Sequence, residues 1–171
     1  KKPLGSFTKA ISTMKVGLEI FYDSEAGVKE DIFNVLSGAL KKLGLKDYVL
    51  TIGDISILDE ILDKLRFPLD KRNKLKDILS SRSKSDLSEF LKQEGKGKRT
   101  LVMLSNLLDI IGDYEQEFKN LNLICKELKI DPKKLKSIKQ SFNILKKNKI
   151  KNVLVDMVDF RGYSYLSGIV F

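Results

Sequence analysis

The sequence predicts an α+β fold in which an all-helical insertion interrupts a small sheet. Three observations carry this expectation. Residues 13–67 read as strand, helix, strand and helix; residues 69 to about 150 carry helical spacing with no strand candidate; residues 150–171 return to strand-like alternation. The expected division is therefore a core-like segment over 1–68, a helical insertion over 69–149 and a core-like strand pair over 150–171.

The first strand is "TMKVGLEIFYD" (13–23), where Val16, Leu18, Ile20 and Tyr22 alternate with Lys15, Gly17, Glu19 and Phe21. Glu19 in mid-strand faces either water or a polar site. The helix over 23–45 takes Asp23 or Ser24 as cap and Gly44 as its stop. Its stripe is Ile32, Val35, Leu36, Ala39, Leu40 and Leu43. "DYVLTIGD" (47–54) is a second strand, and "ISILDEILDKLRF" (55–67) a helix stopped by Pro68. The block that follows has Asp70, Ser85, Thr100 and Asp131 as plausible caps, with Pro132 at a first helical position. "IKNVLVDMVDF" (150–160) and "YSYLSGIVF" (163–171) read as an antiparallel pair joined by a tight reversal at Arg161-Gly162. Three or four strands make a scant sheet, so the chain reads as part of a larger fold.

Composition excludes several classes of chemistry. The 171 residues are 42% hydrophobic and 32% charged, and they contain no histidine and one cysteine. A His-bearing zinc site, a Ser-His-Asp triad and an internal disulfide are thereby ruled out. Cys125 lies in an apolar helical run and reads as a small core hydrophobe. No apolar run approaches the roughly 18 residues of a membrane span. The basic N-terminus lacks the apolar stretch of a signal peptide, so a cytoplasmic location is expected. The net charge of +9 comes from 27 Lys and 5 Arg, dispersed over amphipathic helices. Dedicated nucleic-acid surfaces favour Arg with interleaved aromatics, so "DPKKLKSIKQ" and "LKKNKIKN" read as solvated faces.

Two stretches carry a resemblance. "VGLEIFYDSEAGVKEDIFNVLSGALKKLGLKDYVLTIGD" resembles the segment after motif 2 in the histidyl-tRNA synthetase family, and "RGYSYLSGIVF" resembles that family's Arg-Gly-Leu-Asp-Tyr-Tyr-Thr-Gly histidine-recognition strand. Non-synthetase members that regulate ATP phosphoribosyltransferase often carry an Arg-Gly-Tyr variant, which Tyr163 matches. The resemblance implies a partial antiparallel sheet of the class II synthetase type. It also exposes departures. The loop arginines of the synthetases are Lys9 and Ile11 here, their glutamine is Lys15, and in the second motif Asp and Tyr become Ser164 and Leu166. Aminoacylation needs cations on the ATP phosphates and fixed donors at the developing charge.

The resemblance thus implies a regulatory module that has lost aminoacylation. It would activate the short catalytic form of ATP phosphoribosyltransferase and take part in feedback by histidine. The expected assembly is a homodimer within a larger hetero-oligomer. No cofactor or metal is implied, and neither tRNA nor membrane is an expected partner. Glu19, Arg161 and Tyr165 would line the histidine pocket. Each also has a plain structural reading: Glu19 as an edge carboxylate neutralised by Lys15, Arg161 as a turn ion pair with Asp159 or Asp156, Tyr165 as a core aromatic. The alternatives are a diverged histidyl-tRNA synthetase whose helical block touches tRNA, or a paralogue that serves only as a scaffold. The loop "GSFTKAISTMK" discriminates, because a working synthetase keeps its arginines there.

Overall fold

Most helix C-termini among the described residues are set by one repeated device. In a computed structural model, which describes residues 27–159 and 168–171, the first helix α1 (Val28–Lys42) starts at Gly27 with Glu30 and Asp31 in its first turn. It stops where Gly44 turns left-handed (φ 69°) and the Leu45 amide donates back to the Leu40 carbonyl at 3.1 Å. The same reversal closes α2 (Ile55–Lys64), α4 (Lys84–Gln93), α6 (Tyr114–Glu127) and α7 (Lys136–Lys147), at Arg66, Gly95, Lys129 and Lys149. Phe67, Ile130 and Ile150, each one residue past the left-handed position, are buried, so an apolar anchor accompanies the turn.

Three of these left-handed positions carry long side chains, which makes a test available. The left-handed conformation costs an L-residue about 1–2 kcal/mol, more than the roughly 0.4–1 kcal/mol of chain entropy that glycine adds to the unfolded state. Lys129→Gly and Lys149→Gly are each expected to stabilise the fold by about 0.5 kcal/mol. Gly95→Ala is expected to destabilise it by a similar amount. Urea midpoints of the three variants check the signs.

The remaining elements are β1 (Leu50–Asp54), α3 (Leu69–Ser81), α5 (Lys98–Leu108), β2 (Ile111–Asp113), a 3-10 turn (Pro132–Leu135), β3 (Val153–Asp156) and β4 (Ile169–Val170). The expected α+β class holds. Asp131 caps the 3-10 turn through the Lys133 amide at 2.9 Å, as its spacing before Pro132 suggests. Ser83 rather than Ser85 caps α4, accepting from the Asp86 amide at 3.2 Å. No side chain caps α3 or α5, whose N-caps are Pro68 and Gly97; Asp70 sits in the first turn of α3. Asp23 and Ser24 lie outside the described residues. Of the stripe expected on α1, Val35 and Leu43 are exposed, and the residue that α1 buries is Phe33.

The sheet order is β2-β3-β1-β4. β1 pairs parallel with β3, placing Leu50 against Val153 and Ile52 against Val155. β4 pairs antiparallel with β1, and β2 antiparallel with β3. Two expectations are corrected here. The stretches 150–160 and 163–171 do not pair as a hairpin through their described strands, because β1 lies between β3 and β4. The physical reason is burial. Val153, Val155, Asp156, Met157 and Val158 are all buried, and a near-continuous apolar run belongs inside a sheet with a parallel neighbour, not in a half-solvated hairpin. Nor is the 69–149 block free of strand. Ile111–Asp113 leaves it to pair with the outer side of β3, whose buried backbone needs partners on both edges. Three residues are too short to show alternation, so no periodicity marks them. The sheet is accordingly mixed.

A continuous apolar cluster joins sheet and helices. It runs from Ile52 on β1 through Ile57, Leu58, Ile61 and Leu62 on α2, to Leu75 and Leu79 on α3, Leu104 and Leu107 on α5, and Ile138 and Leu145 on α7. Cys125 belongs to it, as its apolar surroundings predict.

Candidate functional site

The parallel pairing sends β1 and β3 to the same end of the sheet, where Gly53, Asp54 and Asp156 meet. Gly53 has no room for a side chain: a Cβ there would strike the Asp156 carbonyl oxygen and lie 3.3 Å from Val170 Cγ2. Asp54 turns the strand into α2. Its Oδ1 accepts from the Ser56 amide at 3.0 Å and the Ser56 hydroxyl at 2.5 Å. Asp54 is buried, and its Oδ2 has no hydrogen-bond partner among the described residues. The Ile55 amide donates to the Gly168 carbonyl at 2.8 Å, which ties β4 to this corner.

Asp156 is 5% exposed and is answered by Arg82. Arg82 Nη2 lies 2.5 Å from each carboxylate oxygen, and Nη1 donates to the Leu108 carbonyl at 2.7 Å. Asp156 Oδ1 also accepts from the Val158 amide at 3.0 Å. Arg82 thus links the end of α3, the end of α5 and the end of β3. Only a planar guanidinium offers that fork. Arg82 holds the left-handed conformation after α3 (φ 57°), a position where glycine carries no steric penalty. No sequence motif marks this residue. The available signal was scarcity: with 5 arginines against 27 lysines, an arginine between two helices was a candidate for a task lysine cannot perform.

Glu19, Arg161 and Tyr165 lie outside the described residues, as do Lys9, Ile11, Lys15, Ser164 and Leu166. The described residues on either side of the Arg161 motif are placed. The chain approaches it from β3 through Asp156 and resumes at Gly168 before β4, and these two points flank the C-terminal end of β1. Asp156, one of two carboxylates considered as a turn partner for Arg161, gives both oxygens to Arg82.

Beside this corner runs a groove of about 960 Å³, between α1, the start of α2, the 3-10 turn, the start of α7 and β4. Lys29, Lys133, Lys134 and Lys136 line it with Ser56 and Ser137, and no carboxylate is among its described lining residues. Lys29 Nζ donates to Ser137 Oγ at 2.7 Å. Lys133, Lys134 and Lys136 are exposed, as the solvated-face reading of "DPKKLKSIKQ" expects, and Lys29 is half-buried, but the four converge on one groove.

Other chemistry is limited among the described residues. Burial pushes the Cys125 thiol up to about 11, so it is a poor nucleophile at neutral pH. Burial likewise pushes the Tyr114 hydroxyl up to about 12. No group of three or more His, Cys, Asp or Glu side chains could hold a metal ion. No described helix is long and apolar enough to cross a membrane.

A mixed sheet with helices packed on it, closed at one end by an arginine clasp on the buried Asp156 carboxylate, makes this an α+β domain. The chain belongs to the histidyl-tRNA synthetase family, whose model matches residues 5–171. It is 24% identical over 165 residues to an ATP phosphoribosyltransferase regulatory subunit of Hydrogenovibrio crunogenus, covering 94% of this chain and 41% of that protein. It is 24% identical to a protein of the same name from Clostridium botulinum strain 657, over 91% of this chain and 37% of that one. A histidine–tRNA ligase of Methanococcus aeolicus is 21% identical, over 92% of this chain and 37% of the ligase. In three dimensions the chain resembles an ATP phosphoribosyltransferase regulatory subunit/histidyl-tRNA synthetase from Bacillus halodurans, with a TM-score of 0.67 at 18% identity, over 84% of this chain and 38% of the other. That likeness bears on the fold. The chain spans about two fifths of the length of the curated relatives it matches.

Proposed function

We propose that this protein is a regulatory subunit of ATP phosphoribosyltransferase, a histidyl-tRNA synthetase paralogue that does not aminoacylate. One observation carries the reading: relatives matched over more than 90% of the chain bear that name. The loop substitutions Lys9, Ile11 and Lys15 support the loss of synthetase chemistry, since each preorganised donor removed from a charged transition state costs about 3 kcal/mol. In this reading the protein works in the cytoplasm, as a homodimer within a larger assembly with the short catalytic subunit. The 69–149 block is an insertion in the synthetase-like core. Histidine is the effector, with Glu19 holding its ammonium, Arg161 its carboxylate and Tyr165 lining the pocket. Regulation is then a coupling free energy between that pocket and the subunit interface.

The test is reconstitution of the full-length protein with a short-form catalytic subunit. Activation is expected, along with histidine inhibition that weakens in Glu19→Gln and Arg161→Ala. Unchanged inhibition in both variants removes the pocket assignment. The second reading, a diverged histidyl-tRNA synthetase, draws on the Methanococcus aeolicus ligase. Histidine-dependent pyrophosphate exchange at a rate near that of a working synthetase would establish it in place of the first.

A further inference from the structure

The start of α7 breaks a rule that α1 and α6 obey. A helix N-terminus carries partial positive charge, so its first turn favours acids. α1 opens with Glu30 and Asp31, and α6 with Glu115 and Glu117. α7 has no acid in its first turn, begins on Lys136 and follows a turn holding Lys133 and Lys134. α5 also opens on cations, but there Arg99 pairs with Glu127 at 3.1 Å. At α7, Lys134 reaches Glu60 at 3.3 Å, while Lys133 and Lys136 have no ion-pair partner among the described residues. Lys29 approaches from α1 and is held by the Ser137 hydroxyl, not by a carboxylate.

These cations meet across a concavity, not along a stripe. The groove volume of about 960 Å³ lies within the roughly 300–1,000 Å³ of small-molecule sites. Phe33, Ile169 and Phe171 give it an apolar wall beside the ammonium groups. Like charges gathered at a helix N-terminus destabilise the empty protein, and such local conflicts mark functional sites.

We propose that this groove binds a phosphorylated small molecule carrying at least two phosphate groups. Lys29, Lys133 and Lys136, none with an ion-pair partner among the described residues, present +3. Each phosphate group brings about −1.5 to −2, so two are needed to match the lysines and one is too few. Lysine suits this role as a point charge that needs no bidentate geometry. The apolar wall suits the organic part of the ligand. RNA would instead need a basic track with stacking aromatics along it. The inference does not depend on the regulatory reading and can fail or hold separately from it.

The test is calorimetric titration of the full-length protein at low ionic strength with inorganic pyrophosphate and with orthophosphate. Pyrophosphate is expected to bind at least about tenfold more tightly than orthophosphate. The pair Lys133→Gln/Lys136→Gln should weaken pyrophosphate binding by at least about tenfold, whereas Lys92→Gln/Lys126→Gln, an equal charge change away from the groove, should alter it less than about twofold. The unliganded groove variant should melt at or above the temperature of the parent protein, which separates lost binding from lost folding. No pyrophosphate binding, or equal losses in the two pairs, overturns the proposal. So does a short RNA duplex that binds more tightly than pyrophosphate and is weakened equally by both pairs.

Discussion

Gly53→Ala should destabilise the protein by about 3 kcal/mol, at the upper end of what overpacking a core does. The obstacle at this position is backbone. The new Cβ would strike the Asp156 carbonyl oxygen, while Val170 Cγ2 closes the other side at 3.3 Å. A side chain in the way can rotate; a carbonyl in a parallel strand can retreat only if β1 and β3 separate. Their register, with Ile52 against Val155, buries Ile52 and Val155 in the core, so separation exposes apolar surface. Gly38 is the matched control, because nothing lies within 4 Å of a Cβ there and it sits inside α1. Gly38→Ala should stabilise by about 0.5–1 kcal/mol through helix propensity. Urea denaturation of both variants decides the matter. A Gly53→Ala loss below about 0.5 kcal/mol would show that β1 and β3 are not packed as described.

Arg82→Met should destabilise the protein by about 3 kcal/mol, and Asp156→Asn by distinctly less. The asymmetry follows from burial. Removing the guanidinium leaves a 5% exposed carboxylate without its counter-ion, and the Leu108 carbonyl without its donor. Removing the carboxylate's charge leaves an arginine whose side chain is 33% exposed and can turn to water, while an Asn oxygen can still accept from the Val158 amide that Asp156 Oδ1 now serves. The double variant Arg82→Met/Asp156→Asn should lie closer to the parent than the sum of the two single variants, because no buried charge is stranded in it. Equal losses in the two single variants, adding without coupling, would mean that the contact is a surface pair of little consequence. Since Asp156 stands five residues before Arg161, Arg82→Met is also the substitution among the described residues best placed to disturb the motif from a distance.

Much of the fold was legible because much of it is local. The six helices α2 to α7 each have an apolar stripe that closes on itself within one element, and the stops of α2, α4, α6 and α7 lie beside Arg66, Gly95, Lys129 and Lys149, where an apolar or basic residue follows the left-handed turn. Cys125 was legible as core for the same reason: its neighbours Leu121 and Ile124 on the same helix are buried with it. β1 showed itself through Ile52 and the turn residues around it. The candidate site was less legible. Glu19, Arg161 and Tyr165 were reached by resemblance and lie outside the described residues, whereas Arg82 and the lysine groove carry no motif at all.

The sequence by itself determined the α+β class, the helical character of most of the 69–149 block and membership of the histidyl-tRNA synthetase family, which its own model matches over residues 5–171. Each rests on information contained within a turn of helix, a short strand or a contiguous motif. Tertiary structure alone decided that β1 separates β3 from β4, that Ile111–Asp113 leaves the helical block to complete the sheet, and that Asp156 belongs to Arg82. It also brought Lys29 against Ser137 and into one groove with Lys133 and Lys136. These are pairings between residues 74 and 108 positions apart. Hydrophobic periodicity says which face of an element is buried, but not which other element covers it. That choice is made by the mutual fit of surfaces and by the demand that every buried backbone group and charge find a partner.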